Sequence, residues 1–146
     1  ETREEWSLYI MSSARTTIAA SASRTALDAT RFLNEGSYDL YITDLAWEET
    51  GGSLRSIAIE INDTVRKQTI FRDSASGATA GVVDPSGSTQ NNINGQFSAH
   101  LELKAAYRLP AKGGLQPFIS ELDAVARTFR LTVIGYQRVP ISPPLV

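Results

Sequence analysis

The side chains able to carry chemistry are few. His100 is the single histidine in a chain of 146 residues that has no cysteine. Thiolate nucleophiles, thiolate metal sites and clusters of imidazole ligands are therefore excluded, and acid–base or triad chemistry would have to run through that one ring. His100 stands beside Ser98 and Glu102, out of phase with the apolar residues around it, the position of a solvated or cross-strand polar residue. Asp39, Asp44, Glu48 and Glu49 gather acid in a short stretch, a composition that could hold a hard cation or act as paired carboxylates. Consecutive strand residues point to opposite faces, so Glu48 and Glu49 do not converge, and a solvated edge is the expectation.

The stretch YRLPAKGGLQPFISEL, Tyr107 to Leu122, sets Lys112, Gly113 and Gly114 ahead of an apolar periodic segment. Free backbone N–H groups at the start of a helix attract phosphate or carboxylate. The P-loop spacing is absent and the lysine precedes the glycines, so a plain strand-to-helix turn is expected instead. Asn62-Asp63-Thr64 matches a glycosylation sequon, which matters only in a glycosylating secretory pathway. Trp6, Tyr41, Trp47 and Tyr136 could wall a ligand pocket. Aromatics at regular spacing more often pack a core or anchor an interface, which places Trp47 in the core and Trp6 at an interface. No catalytic residue, cofactor or metal ligand is assigned.

The elements that would position these residues read as a mixture of helix and strand. Trp6, Ile10, Ala14, Ile18, Ala22, Ala29, Phe32 and Leu33 fall near one stripe, which predicts a helix over residues 1–35 with a thin, small-residue face. Asp39 to Trp47 reads as a strand, with Tyr41, Leu45 and Trp47 on one face and Leu40 and Ile42 on the other. Ile57, Ile59 and Ile61 alternate, and that β-branched density favours strand over the rival helical spacing of Leu54, Ile57, Ala58, Ile61 and Val65. Residues 73–96 are rich in Gly, Ser, Asn and Thr and read as a long flexible loop. Phe97 to Leu109 alternates over its whole length, a half-buried strand. Leu115, Phe118, Ile119, Leu122, Val125, Ala126 and Phe129 recur at helical spacing, with Pro117 in the first turn. A last strand follows, so the C-terminal part predicts a β-α-β unit. The whole is expected to be a single α+β domain, 1–146.

Composition narrows the function classes. With 42% hydrophobic and 21% charged residues, the chain matches a globular domain and holds no apolar run long enough for a helical membrane span. Net charge is −5 over residues 1–96 and +3 over 97–146, with the basic residues scattered. Nucleic-acid binding, which draws most of its affinity from a basic stripe, is not expected. The first residue is Glu1, so an anchor or signal upstream is compatible with the chain.

Two stretches, FLNEGSYDLYITDLAWEE and FSAHLELKAAYRLPAKGGLQPFISELDAVARTFRLTVIGYQRVPI, resemble the periplasmic domains of the PilN/PilO-like group, inner-membrane alignment proteins of type IV pili and type II secretion machines. The resemblance covers under half the chain and rests on patterns of residue type. It implies a ferredoxin-like antiparallel sheet, a membrane-anchored parent on the extracytoplasmic side of the inner membrane, no catalysis, and assembly with itself or a sister subunit. The expected function is a non-catalytic assembly or scaffold module with an interface along Trp6, Ile10, Ala14, Ile18 and Ala22. A pilin-like subunit, polymerising through its first helix, and a small-molecule-binding or enzymatic domain are the alternatives. The first requires that helix, and the second a cavity gathering His100, acidic residues or the glycine joint.

Overall fold

The computed structural model describes residues 3–50, 57–72, 89–93, 96–121 and 126–141. In chain order its strands are β1 (Arg3–Ser12), β2 (Thr16–Ile18), β3 (Thr25–Ala26), β4 (Leu40–Thr50), β5 (Ile57–Asp63), β6 (Gln68–Arg72), β7 (Thr89–Ile93), β8 (Gln96–Leu109), β9 (Leu115–Glu121) and β10 (Arg127–Ile141), with one 3-10 turn at Ala29–Arg31. The larger sheet runs β1-β10-β4-β8-β7, with β2 also paired to β10; the smaller runs β3-β9-β5-β6. Every pairing is antiparallel. The sheets face each other across one core, with Leu45, Phe129 and Leu131 from the larger and Ile59, Ile61 and Ile119 from the smaller. Burying each such side chain contributes about 1.5–3 kcal/mol.

The α+β, ferredoxin-like expectation is thereby overturned. Among the described residues there is no α-helix, and none long and apolar enough to cross a membrane. The architecture is an antiparallel β-sandwich. The predicted N-terminal helix is two strands of the larger sheet, one short strand of the smaller and the 3-10 turn. Aromatic and β-branched side chains dense in this segment suit a pleated surface better than a helix. Of the predicted C-terminal helix, Leu115–Glu121 is β9, whose burial alternates perfectly, Phe129 lies on β10, and Leu122 and Val125 lie outside the described residues. The pilin-like alternative loses the helix it requires, and the element order behind the PilN/PilO-like resemblance is replaced by strands. Most of the predicted loop 73–96 lies outside the described residues, but Thr89–Ile93 pairs with β8 as a strand.

β9 is an inner strand that contains a proline, an arrangement that usually breaks a ladder. Leu27 donates its N–H to the Pro117 carbonyl at 3.0 Å, but Pro117 has no N–H to return. The Gln116 side-chain amide replaces it, reaching Leu27 O at 2.8 Å. In β4 a bulge separates Ile42 from Asp44: Thr43 is an extra residue against β10, and at the same place the pairing with β8 skips residues 103–106. The extra residue shifts the side-chain parity, so Leu40 and Ile42 before it and Leu45 and Trp47 after it are all buried.

The β5–β6 hairpin closes on a buried carboxylate. Asp63 accepts the Val65 and Arg66 N–H groups at 2.9 Å each, and the Tyr107 hydroxyl from the facing sheet at 2.6 Å. Burial alone would raise the Asp63 carboxyl; the Tyr107 hydroxyl, the two N–H groups and the Arg66 charge outweigh it and hold the group below its ordinary value. Burial, then the Asp63 carboxylate, push the Tyr107 hydroxyl upward. A lowered carboxyl contributes stability that is present above its unfolded titration and lost as pH falls through the folded value. The urea midpoint is expected to fall more between about pH 7 and about pH 3 in the native chain than in Asp63→Asn. Equal losses in both would show that Asp63 contributes nothing to acid sensitivity.

Candidate functional site

On the outward face of the larger sheet, alternate residues of three adjacent strands bring apolar groups together. β1 contributes Trp6, Leu8 and Ile10, whose cross-strand neighbours on β10 are Arg138, Tyr136 and Ile134. β4 adds Tyr41, opposite Tyr136. Trp6, Leu8 and Ile10 are each 55% exposed and Tyr136 is 41% exposed. The Trp6 and Tyr41 rings meet edge to face with centroids 5.6 Å apart, and the Arg138 guanidinium lies 5.7 Å from the Trp6 centroid. Single exposed apolar residues are ordinary on a soluble domain, whereas a contiguous group that includes aromatics marks a contact surface.

Charged pairs border this strip. Arg138 pairs with Glu4 at one end. Arg108 Nε donates to Asp39 at 2.5 Å, and this bond holds the Asp39 carboxyl below its ordinary value. At the other end His100 Nε2 lies 2.5 Å from Asp44, while Glu48 pairs with Arg15 at 3.1 Å and lies 3.8 Å from Arg130. Asp39, Asp44 and Glu48 are thus distributed among separate partners, and no cluster of three or more His, Cys, Asp or Glu able to hold a metal ion occurs among the described residues.

His100 points outward from β8 and is exposed, as its phase predicts; its partner Asp44 sits diagonally across on β4, opposite Glu102. The glycine joint is a turn from β8 of one sheet into β9 of the other. Lys112 takes a positive φ there, its N–H goes to Asn34 O at 2.9 Å, and the Gly113 N–H goes to Pro110 O at 2.9 Å. Those donors are occupied within the fold, and no helix follows to add its dipole. A Cβ on Gly114 would lie 2.7 Å from the Leu33 side chain, which accounts for the glycine by close packing. His100 stands opposite Ala46 and Leu109 opposite Leu40, six residues along β4 or roughly 20 Å, so the imidazole and the glycine joint are too far apart to meet at one small ligand.

The residues expected to form an interface do not share a surface. Trp6 and Ile10 lie on the exposed strip and Ala14 is exposed in the β1–β2 turn, but Ile18 is fully buried in β2 and Ala22 is half-buried against the core. The helical stripe missed Leu8, Ile134 and Tyr136. Their signal lay in strand alternation, even positions on β1 and on β10 alike. Trp47 is a core residue. Compared with protein-family models, with curated proteins and with solved structures, the chain finds no match.

Proposed function

We propose that this chain is a non-catalytic assembly module that works through protein–protein contacts made by the outward face of its larger sheet. The observation that carries this reading is the continuous strip of Trp6, Leu8, Ile10 and Tyr136, exposed on adjacent strands and rimmed by ion pairs. An apolar centre containing Trp and Tyr with a charged rim is the composition of a contact surface, in which a few aromatic anchors supply most of the binding energy. The Asp44–His100 pair lies on this open face and serves the rim.

Site-specific photocrosslinking in the producing cells tests the reading. A photoreactive side chain placed at Leu8 or Tyr136 is expected to give protein adducts several-fold above the same group at the exposed turn residue Ser23, and Ile10→Lys is expected to abolish them. Adduct yields at Leu8 and Tyr136 no higher than at Ser23 would end the proposal.

A further inference from the structure

Resting on that reading, we infer that the contact face is built from two copies of this chain, joined by antiparallel pairing of β1 with β1 so that their larger sheets become continuous and the strip extends across both. β1 is a ten-residue edge strand, paired among the described residues with β10 alone. Its hydrogen-bonding phase can be read directly. The Ser13 N–H bonds the Leu131 carbonyl at 2.9 Å, so with an unbroken register the odd residues of β1 exchange bonds with β10 and the even ones turn theirs outward. The Arg31 guanidinium taking the Ser12 carbonyl at 2.9 Å fits this phase. Trp6, Leu8 and Ile10 therefore present backbone donors and acceptors at the free edge and apolar side chains on the outward face at the same time. Edges are normally blunted by proline, lysine, bulges or shortness. The segment Trp6–Ile10 carries none of these and its register is regular.

One register satisfies both rows. With Leu8 opposite Leu8 on the two-fold axis, Trp6 of each copy faces Ile10 of the other, and the exposed strip doubles without interruption. Shifting the register by two residues would oppose Trp6 to Ser12 or Ile10 to Glu4. Charge also fits the Leu8-centred register. Glu4 of one copy comes opposite Ser12 of the other, whose carbonyl is held by the exposed Arg31, so an acidic end meets a basic one and no like charges are opposed. An edge this short buries well under the ~800 Å² per partner of a standard interface, so the dimer should dissociate on dilution.

The absence of cysteine makes the register measurable. The full chain is expected to sediment toward twice its 15.9 kDa mass as concentration rises, and Leu8→Lys, which sets two ammonium groups on the axis, is expected to remain a monomer. Under mild oxidation Leu8→Cys should form a covalent dimer at least about tenfold faster than Glu4→Cys or Ser12→Cys alone. Mixing Glu4→Cys with Ser12→Cys should restore cross-linking. A concentration-independent monomer, or Leu8→Cys no faster than the single end variants, overturns the inference. If that happens while Leu8 still photocrosslinks to a different protein, the contact-face reading stands and the self-pairing falls; with no adducts of any kind, both fall.

Discussion

Truncating Glu121 to alanine is expected to cost about 3–5 kcal/mol, and truncating Arg127 a similar amount, because each change removes the charge facing a partner that has no access to water. Both side chains are fully shielded from solvent, and the Arg127 guanidinium meets the Glu121 carboxylate inside the sandwich. The pair sits where β9 of the smaller sheet ends and β10 of the larger begins, so it ties the two sheets at their crossover. Desolvating two ions offsets much of their attraction, and a well-packed apolar pair of similar volume does as well or better. The double variant Glu121→Leu with Arg127→Met is therefore expected within about 1 kcal/mol of the native chain or above it. Urea midpoints of the native chain, both single variants and the double variant form a cycle that measures the coupling directly. Single losses below about 1 kcal/mol would show that the site admits water on mutation and that the ions are not stranded.

The same pair explains why the second sheet was hard to read from sequence. The inward residues of β9 are Leu115, Pro117, Ile119 and Glu121; a proline and a glutamate at core positions hide a period of two, while Leu115, Phe118 and Ile119 happen to satisfy a helical period. The information needed to place Glu121 inside lies in Arg127, which is only six residues on but belongs to the other sheet, so the crossover from β9 to β10 and not a local period brings the two together. At the N-terminus the ambiguity is arithmetic. Trp6, Ile10, Ala14, Ile18 and Ala22 recur every four residues, which is close to one helical turn and equally two strand periods. What separates the two is the phase of the residues between, and here Tyr9 and Met11 pack inward while Trp6, Leu8 and Ile10 face out. With apolar groups on both faces, β1 lacks the polar alternation that normally announces a strand. Where one face is polar the sequence was sufficient: β8 and β10 read as strands, and Ile59 and Ile61 were recognisable as an inward row of β5.

Of the candidate site, the exposure of His100 followed from its phase alone, whereas its pairing with Asp44 depends on β4 lying beside β8 and on the bulge after Ile42. That bulge also defeated the prediction that Leu40 and Ile42 face away from Leu45 and Trp47, since one inserted residue reverses every later side chain. Its glycine counterpart is legible only in three dimensions: a Cβ on Gly135 would lie 2.6 Å from the Tyr41 carbonyl oxygen.

Asn34→Asp should expose a second buried dependence, one that no motif announces. Asn34 is fully buried in the connection ahead of β4, and its side-chain amide donates to the carbonyls of Tyr38 at 2.8 Å, Pro110 at 3.1 Å and Leu109 at 3.3 Å. Its oxygen accepts from Gln137 Nε2 at 2.8 Å. One side chain thereby holds the loop before β4, the turn between the sheets and the end of β10. Three acceptors around the nitrogen fix the amide's orientation, because an oxygen placed there would face only oxygens. Alanine at this position removes every one of these bonds and is expected to cost about 2–4 kcal/mol. Aspartate is nearly isosteric but meets the carbonyls with a carboxyl oxygen, so burial and repulsion should raise its folded titration above the unfolded one. A group raised in this way keeps its share of stability below the unfolded value and loses it as pH rises. Asn34→Asp should therefore fall further below the native chain at about pH 7 than at about pH 4, the reverse of the trend at Asp63. Denaturation midpoints at the two pH values read the sign, and a variant that gains stability relative to the native chain as pH rises would mean that the amide faces the other way.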